Sequence, residues 1–318
     1  MAKRISAAGV LLVAAVTVLS ACGQVFGQEL RPTAEPLHDS RPAIIASLFP
    51  QYDFARHIAG DRARVTLLLP PGAESHVFDP TYSDMAAIHR ADIFIYTGAV
   101  MEPWAGRIAA GVDAASLLIV DASAGITLLD HLFNTHTHHE HNHGADPHIW
   151  LDPMRAKQMV DNIAAALVET DPENAAFYLA NAAAYREKLA ALDADIAAVV
   201  AASGGRSLVF GGRFAYAYFL ERYQIPYRTA FDSCSTQAEP SILRMTQIIN
   251  YVREHRIPVV FHEELADPRI ARTIADGAGA TALLFSTAHN VTRDELAQGI
   301  TYIDIMRQNL RHIEKAFQ

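Results

Sequence analysis

Two histidines stand in loops from which an imidazole ring could reach a cleft. His76 lies in the segment GAESHVFDP, after an apolar run and a Pro-Pro-Gly turn, and Asp79 follows three residues later. His148 lies in the segment DPHIWLDP, between a proline turn and a bulky apolar pair. Neutral imidazole binds transition metals, and an acceptor such as Asp79 can fix the tautomer that leaves one ring nitrogen free for the metal. Each histidine alone also fits a solvated or half-buried side chain, so the pair indicates metal binding only with further donors.

An irregular tract of histidines occupies residues 130–147. Dense histidine tracts usually contact metals such as zinc, copper or nickel. The flexible spacing argues against one rigid site, so we predict a weak collecting or sensing loop. The internal position argues against an expression tag. The histidines of this loop are His131, His136, His138, His139, His141 and His143.

Further donors follow apolar runs in the second half of the chain. His289 lies just past one predicted strand, and Glu263 follows another, at the carboxyl end where ligand sites of parallel sheets collect. Cys234 is a possible soft ligand, and a small buried thiol with no metal role is the alternative.

The charge balance and the motifs of the chain exclude several classes of function. The 318 residues carry a formal net charge of −9 and show no basic patch, which argues against nucleic-acid binding. A secreted zinc hydrolase needs an open coordination position and a general base. The sequence has neither a His-Glu-x-x-His motif nor a Gly-x-Ser-x-Gly motif, so we expect no enzymatic activity.

The first residues predict export. A basic start and a short apolar stretch end in Leu-Ser-Ala-Cys, which predicts a lipoprotein signal over residues 1–22 with lipidation of Cys22. Residues 23–42 are polar and contain proline, which favours a flexible tether. With Cys22 used for the anchor, only Cys234 remains, so no intramolecular disulfide is possible.

The elements that must position these donors alternate between apolar strands and helices. This pattern predicts an α/β fold of two βα-sandwich lobes with mainly parallel sheets, joined by one long rigid helix. We predict an N-terminal lobe over 43–171, the alanine-rich helix over 172–203 and a C-terminal lobe over 204–318. The predicted strands lie at 43–49, 65–69, 93–96, 208–210, 258–261 and 282–285.

The chain resembles one family in the order of its features, which are the export signal, GAESHVFDPT, the histidine loop, DPHIWLDP, the long helix and the second lobe. It is that of the zinc- and manganese-type (cluster A-I) substrate-binding proteins of bacterial ABC importers, and the resemblance covers essentially the whole mature chain. It implies that His76 and His148 are metal ligands. It also implies a lipid-anchored monomer, outside the cytoplasm, whose partner is a membrane permease with its ATPase.

The second lobe departs from the family pattern at two positions. Arg213 stands where the resemblance places a third histidine, and Ser286 stands where many members have an aspartate. A guanidinium has no lone pair for a metal, so we expect Arg213 to brace the site by pairing with a carboxylate. Glu263 matches a glutamate usual in the family and would serve as a ligand or an orienting partner. The predicted metal site is therefore His76, His148, His289 and Glu263.

Three imidazoles and a carboxylate favour zinc, which accepts nitrogen and oxygen ligands at about 2.0–2.2 Å in tetrahedral geometry. Manganese prefers more oxygen ligands. The resemblance points to zinc as well, because its zinc members commonly carry a histidine loop. Manganese or iron binding by the same fold, and use as a surface adhesin, are the alternatives.

Overall fold

The computed structural model describes residues 39–111, 117–129, 145–231, 234 and 240–318. In these residues the strands are β1 (Ala43–Ala46), β2 (Arg64–Leu67), β3 (Ile93–Tyr96), β4 (Leu118–Asp121), β5 (Leu208–Phe210), β6 (Tyr227–Thr229), β7 (Val259–His262) and β8 (Thr281–Leu284). The helices are α1 (Phe49–Ala59), α2 (Tyr82–Ile88), α3 (Pro103–Gly111), α4 (Pro153–Thr170), α5 (Ala175–Ala202), α6 (Ala217–Tyr223), α7 (Ile242–Glu254), α8 (Arg269–Ala278), α9 (Arg293–Ala297) and α10 (Tyr302–Ala316).

The strands form two four-stranded sheets with the same topology. The first sheet has the order β2-β1-β3-β4 and the second β6-β5-β7-β8, and every pairing is parallel. Parallel strands are usually covered on both faces, so their sequences are continuous apolar runs. Strand β3 is an example, because all four of its residues are buried. The predicted α/β class with two parallel lobes is confirmed, and β4 and β6 add a fourth strand to each lobe that the sequence analysis missed.

Helix α5 joins the lobes and buries one narrow stripe. Its buried residues follow steps of four and three, the spacing of a helix packed along one seam. Phe177 and Leu179, two other large apolar residues of the same helix, are 36% and 55% exposed. Because alanines occur on every face of α5, the pattern of apolar residues in the sequence does not reveal which face is buried. The buried residues are Tyr178, Ala182, Tyr185, Leu189, Leu192 and Ile196.

One buried carboxylate ties α5 to both lobes. Asp53 lies in α1 and is fully buried, and its Oδ2 accepts hydrogen bonds from the Tyr185 hydroxyl of α5 at 2.7 Å and from the Tyr302 backbone N–H at 3.1 Å. Tyr302 is the first residue of α10, so the negative charge of Asp53 also lies at the positive end of this helix dipole, which is stabilising. Arg56 donates to Oδ1 of the same carboxylate at 2.9 Å. Asp53 therefore connects the N-terminal lobe, the long helix and the last helix.

Within the described residues, no helix combines the length and the apolar character needed to cross a membrane. The predicted signal with Cys22, most of the tether and the histidines of the loop lie outside those residues.

We predict that Asp53→Ala lowers the free energy of unfolding by at least about 2 kcal/mol, because each buried donor left without a partner costs roughly 1–3 kcal/mol. Urea unfolding of the full chain measures this change. Asp61→Ala is the matched control, because the Asp61 side chain is 81% exposed just past the same helix. Equal unfolding midpoints for the two variants would show that Asp53 does not hold the helices together.

Candidate metal centre

Three loops bring three histidines together. His76 lies in the loop after β2, His148 lies just before a 3-10 turn at Ile149–Leu151, and His289 lies in the loop after β8. The ring centroids are 5.7 Å apart for His76 and His148, 5.0 Å for His76 and His289, and 4.8 Å for His148 and His289. One possible ligand atom from each ring lies within 4.8 Å of the other two, which is the spacing that a metal ion could bridge.

The Nε2 atoms of these three rings have an unusual environment. Each is buried and has no hydrogen-bond partner among the residues that the structure describes. His148 is fully buried, and the His289 side chain is 12% exposed. Buried polar atoms almost always have a partner, so three such nitrogens at one point require an explanation.

The orientation of His148 is fixed by Asp146. The Asp146 Oδ1 accepts from both the backbone N–H and the Nδ1 of His148, each at 2.8 Å. With its proton on Nδ1, the neutral ring keeps the Nε2 lone pair for a metal. Burial alone would lower the pKa of His148, but the Asp146 carboxylate and the neighbouring Cys234 raise it to about 10. Without a metal the ring therefore holds a second proton near pH 7, and a metal ion must displace that proton from Nε2 to bind there.

The orientation of His289 is fixed by a two-step relay. The Thr287 hydroxyl donates to Glu264 Oε1 at 2.6 Å and also contacts His289 Nδ1. Because its single proton goes to the carboxylate, the Thr287 oxygen accepts from Nδ1–H, which leaves Nε2 with its lone pair. Burial and the positive charges of His148 and His76 hold the pKa of His289 well below its usual value. The ring is therefore neutral near pH 7, as a metal ligand must be.

The loop that carries His289 is held in a strained conformation. Ala288 has a φ of 56°, in the left-handed region that residues other than glycine seldom adopt. The Asn309 side chain accepts from the Ser286 N–H and donates to the Ser286 carbonyl, both at 2.8 Å. Ser286, the position where the resemblance placed a fourth ligand, thus anchors the loop through its backbone.

Hydrogen bonds across the cleft fix the three loops to one another. The Asn290 amide donates to the carbonyls of Pro70 and Ala73, at 2.8 and 3.0 Å, in the loop that leads to His76. The Trp150 indole donates to the Thr287 carbonyl at 2.7 Å. The distances among the imidazoles therefore depend on contacts between both lobes.

Arg213 lies at the cleft and pairs with carboxylates from both lobes. Its Nη1 lies 2.7 Å from Glu74 Oε2, and its backbone N–H donates to Glu263 Oε2 at 3.0 Å. A Cβ at Gly212 would lie 1.8 Å from that oxygen, so only glycine permits this close approach. Burial raises the pKa of Glu74, but the hydrogen bonds from Arg213 and the His76 backbone lower it overall.

The structure separates the other predicted site residues. Asp79 is exposed and lines a different surface pocket with Trp104 and Arg107, and among the described residues no hydrogen bond joins it to His76. Glu263 lines the cleft but is engaged by Arg213 and does not belong to the cluster of three imidazoles. Cys234 also lines the cleft, with its thiol beside two of the imidazoles but outside the cluster of three.

Sequence reasoning missed the oxygen partners Thr287 and Glu74, although a repeated signal could have found them. Each of the three histidines has an oxygen-bearing side chain two residues earlier. In all three cases that side chain contacts the histidine, through its backbone or its ring. The pairs are Glu74 with His76, Asp146 with His148, and Thr287 with His289.

Two parallel α/β lobes around a buried cluster of imidazoles define a two-lobed metal receptor. The chain matches the family described as ZnuA, zinc-uptake complex component A periplasmic, over residues 44–316, and it belongs to this family. The family predicted from the sequence is confirmed, and a periplasmic transport component is a binding protein and not an enzyme.

Similar proteins agree with this assignment. The high-affinity zinc uptake system protein ZnuA of Bacillus subtilis (strain 168) is 31% identical over 311 residues, which cover 95% of each chain. The metal-dependent lipoprotein YcdH of Bacillus subtilis superposes with a TM-score of 0.76 at 30% identity, covering 87% of this chain and 99% of that one. The Zn(II)-bound ZnuA-like domain of Streptococcus pneumoniae AdcA gives 0.74 at 28% identity, with the same coverage.

We predict that Thr287→Val weakens zinc binding by about 10–100-fold, the usual loss when a partner that orients a metal-binding histidine is removed. Thr287→Ser, which keeps the hydroxyl, should bind nearly as the parent does. Competition with a chromophoric chelator measures both affinities. Equal affinities for the valine and serine variants would contradict the orienting role of the hydroxyl.

Proposed function

We propose that this chain binds one zinc ion through Nε2 of His76, His148 and His289, and delivers it to a membrane importer. The observation that carries the proposal is the meeting of three buried, unpartnered Nε2 atoms within one cleft. Structural waters or hydroxyls would normally satisfy such atoms, whereas a divalent cation satisfies all three lone pairs at once. Zinc is the cargo in this proposal and not a permanent cofactor.

The donor chemistry supports zinc over manganese. Three imidazoles suit zinc, while manganese and iron sites use more oxygen donors, and the carboxylates nearest this cluster already have partners in the protein. The zinc-uptake name of the Bacillus relative and the zinc-bound state of the Streptococcus domain support the same cargo.

The remaining predicted residues take supporting roles in this proposal. Glu263 and Glu74 hold Arg213 at the mouth of the cleft, so that its charge is compensated beside the incoming cation. Asp79 lines a different pocket in the described structure, and its role as an outer partner of His76 stays a prediction. The histidines of the 130–147 loop collect metal weakly and pass it to the cleft.

Delivery requires a docking partner at the membrane. Membership of a zinc-uptake family supports a permease with its ATPase as the partner. We propose that the protein works as an exported monomer, tethered to the membrane through a lipid on Cys22. The contacts between the lobes, through Asp53 and Asn290, favour a small change in the cleft on release over a wide opening.

Zinc titration of the full chain tests this function. We expect one tight site in the parent protein and in a variant that lacks residues 131–143, because the cleft does not depend on the loop. His289→Ala should lose the tight site, since two imidazoles hold zinc far less well than three. Zinc content after dialysis and calorimetric titration give the stoichiometry and the affinity.

His255→Ala is the matched control for this experiment, because His255 stacks on Tyr251 and does not line the cleft. It should bind zinc as the parent does. Loss of tight binding on deletion of the loop, with the affinity of His289→Ala unchanged, would move the primary site to the loop and refute the cleft assignment.

A further inference from the structure

We infer that the thiolate of Cys234 is the fourth ligand of the metal, which makes the site three imidazoles and one sulfur. This inference rests on the proposed function, because it adds a donor to the same cluster. Nothing in the family resemblance assigned a ligand at this position.

Cys234 lies in the cleft close to two of the histidines. Its side chain lines the same cleft as His76 and His289, and its thiol lies beside the rings of both His148 and His76. Both of these rings direct a buried, unpartnered Nε2 into the cluster. A sulfur atom beside two such nitrogens is in position to share a cation with them.

The usual coordination number of zinc indicates that the three imidazoles leave one ligand position open. Structural zinc sites in proteins almost always have four ligands in tetrahedral geometry. Among the described residues, the ligand atoms within 4.8 Å of one another are three nitrogens, and the Cys234 sulfur lies outside that distance from at least one of them. A site closed to water needs one more donor from the lining of the cleft, and the Cys234 side chain would have to turn toward the ion to supply it.

The carboxylates near the cluster already have hydrogen-bond or ion-pair partners in the protein. Glu264 accepts from both the hydroxyl and the backbone N–H of Thr287, at 2.6 and 2.7 Å. Glu74 pairs with the Arg213 guanidinium, and Glu263 accepts from the Arg213 backbone. A carboxylate that moved to the metal would leave these donors without partners, at about 1–3 kcal/mol each.

Among the described residues, no donor comparable to Arg213 or Thr287 depends on the Cys234 thiol. The neighbours of the thiol there are the two histidines themselves. Binding the cation would release to solvent the one proton held between Cys234 and His148 and form one metal–sulfur bond, with no change of oxidation state. The same step would exchange a weak thiol–imidazole contact for a bond to the shared metal.

A sulfur ligand also has a consequence for selectivity. Thiolates favour zinc and other soft or borderline metals, whereas carboxylates suit manganese and magnesium. Cys234 would thus discriminate against manganese where a carboxylate at the same place would admit it. We expect Cys234→Asp to narrow the ratio between the zinc and manganese affinities.

Cobalt substitution tests the inference directly, because tetrahedral Co²⁺ reports its ligands in its absorption spectrum. The full chain with Cys22→Ser retains Cys234 as its one thiol. At less than one equivalent of Co²⁺, we expect visible bands of a tetrahedral site together with a near-ultraviolet sulfur-to-cobalt charge-transfer band. Cys234→Ser in the same background should lose that band and bind zinc at least about 10-fold more weakly, because even outer partners are worth that much.

The outcomes separate this inference from the proposed function. Tetrahedral bands without the charge-transfer band would overturn the thiolate ligand and leave the three-histidine site standing. Failure of the protein to bind Co²⁺ or Zn²⁺ in the cleft would overturn both. The charge-transfer band in the parent, lost in Cys234→Ser while His255→Ala keeps it, would establish the sulfur ligand.

Discussion

Three imidazole nitrogens meet at a buried point where none of the described residues gives any of them a hydrogen bond, and the rest of the structure serves this constraint. Each unpartnered buried group costs on the order of 1–3 kcal/mol, so the rings would turn away or admit other partners unless they were held. Asp146 holds one ring and the Thr287–Glu264 relay holds another. The strained backbone of Ala288 is a further cost that the fold carries at this point. A cation that binds all three lone pairs removes the main cost, and this gain is a source of affinity.

The two sheets make this arrangement possible by their shared topology. His76 follows the edge strand of one sheet, and His289 follows the edge strand of the other, while Arg213 follows a central strand. Loops at the carboxyl ends of parallel strands converge on a cleft, as open α/β sheets generally arrange them. Helix α5 and the Asp53 carboxylate hold the lobes at a fixed separation. Small differences in that separation would change the distances among the imidazoles, so the long helix is part of the site's geometry.

Much of this could be predicted from the sequence, and the parts that could not have physical reasons. The continuous apolar run of β3 indicated a parallel sheet. The loop histidines His76 and His148 gave two members of the cluster. His289 could be placed because it follows an apolar strand, although no motif of the family contains it. Strand β6 was missed because its sequence, Tyr-Arg-Thr, is largely polar, whereas β4 is an apolar run like the strands that were predicted and could have been found from the same signal.

The long helix was predicted, but its buried face was not, because alanine occurs equally on buried and exposed faces and only the contacts in the fold reveal the seam through Tyr178. The partners of the metal site were harder still, because a hydrogen bond such as Asn290 to Pro70 joins residues far apart in the chain. The most direct test of the central claim is a crystal structure of the zinc-loaded full chain with anomalous data collected at the zinc edge. The account predicts one strong peak bonded to Nε2 of His76, His148 and His289. A peak held by other residues, with these three nitrogens left unbound, would contradict it.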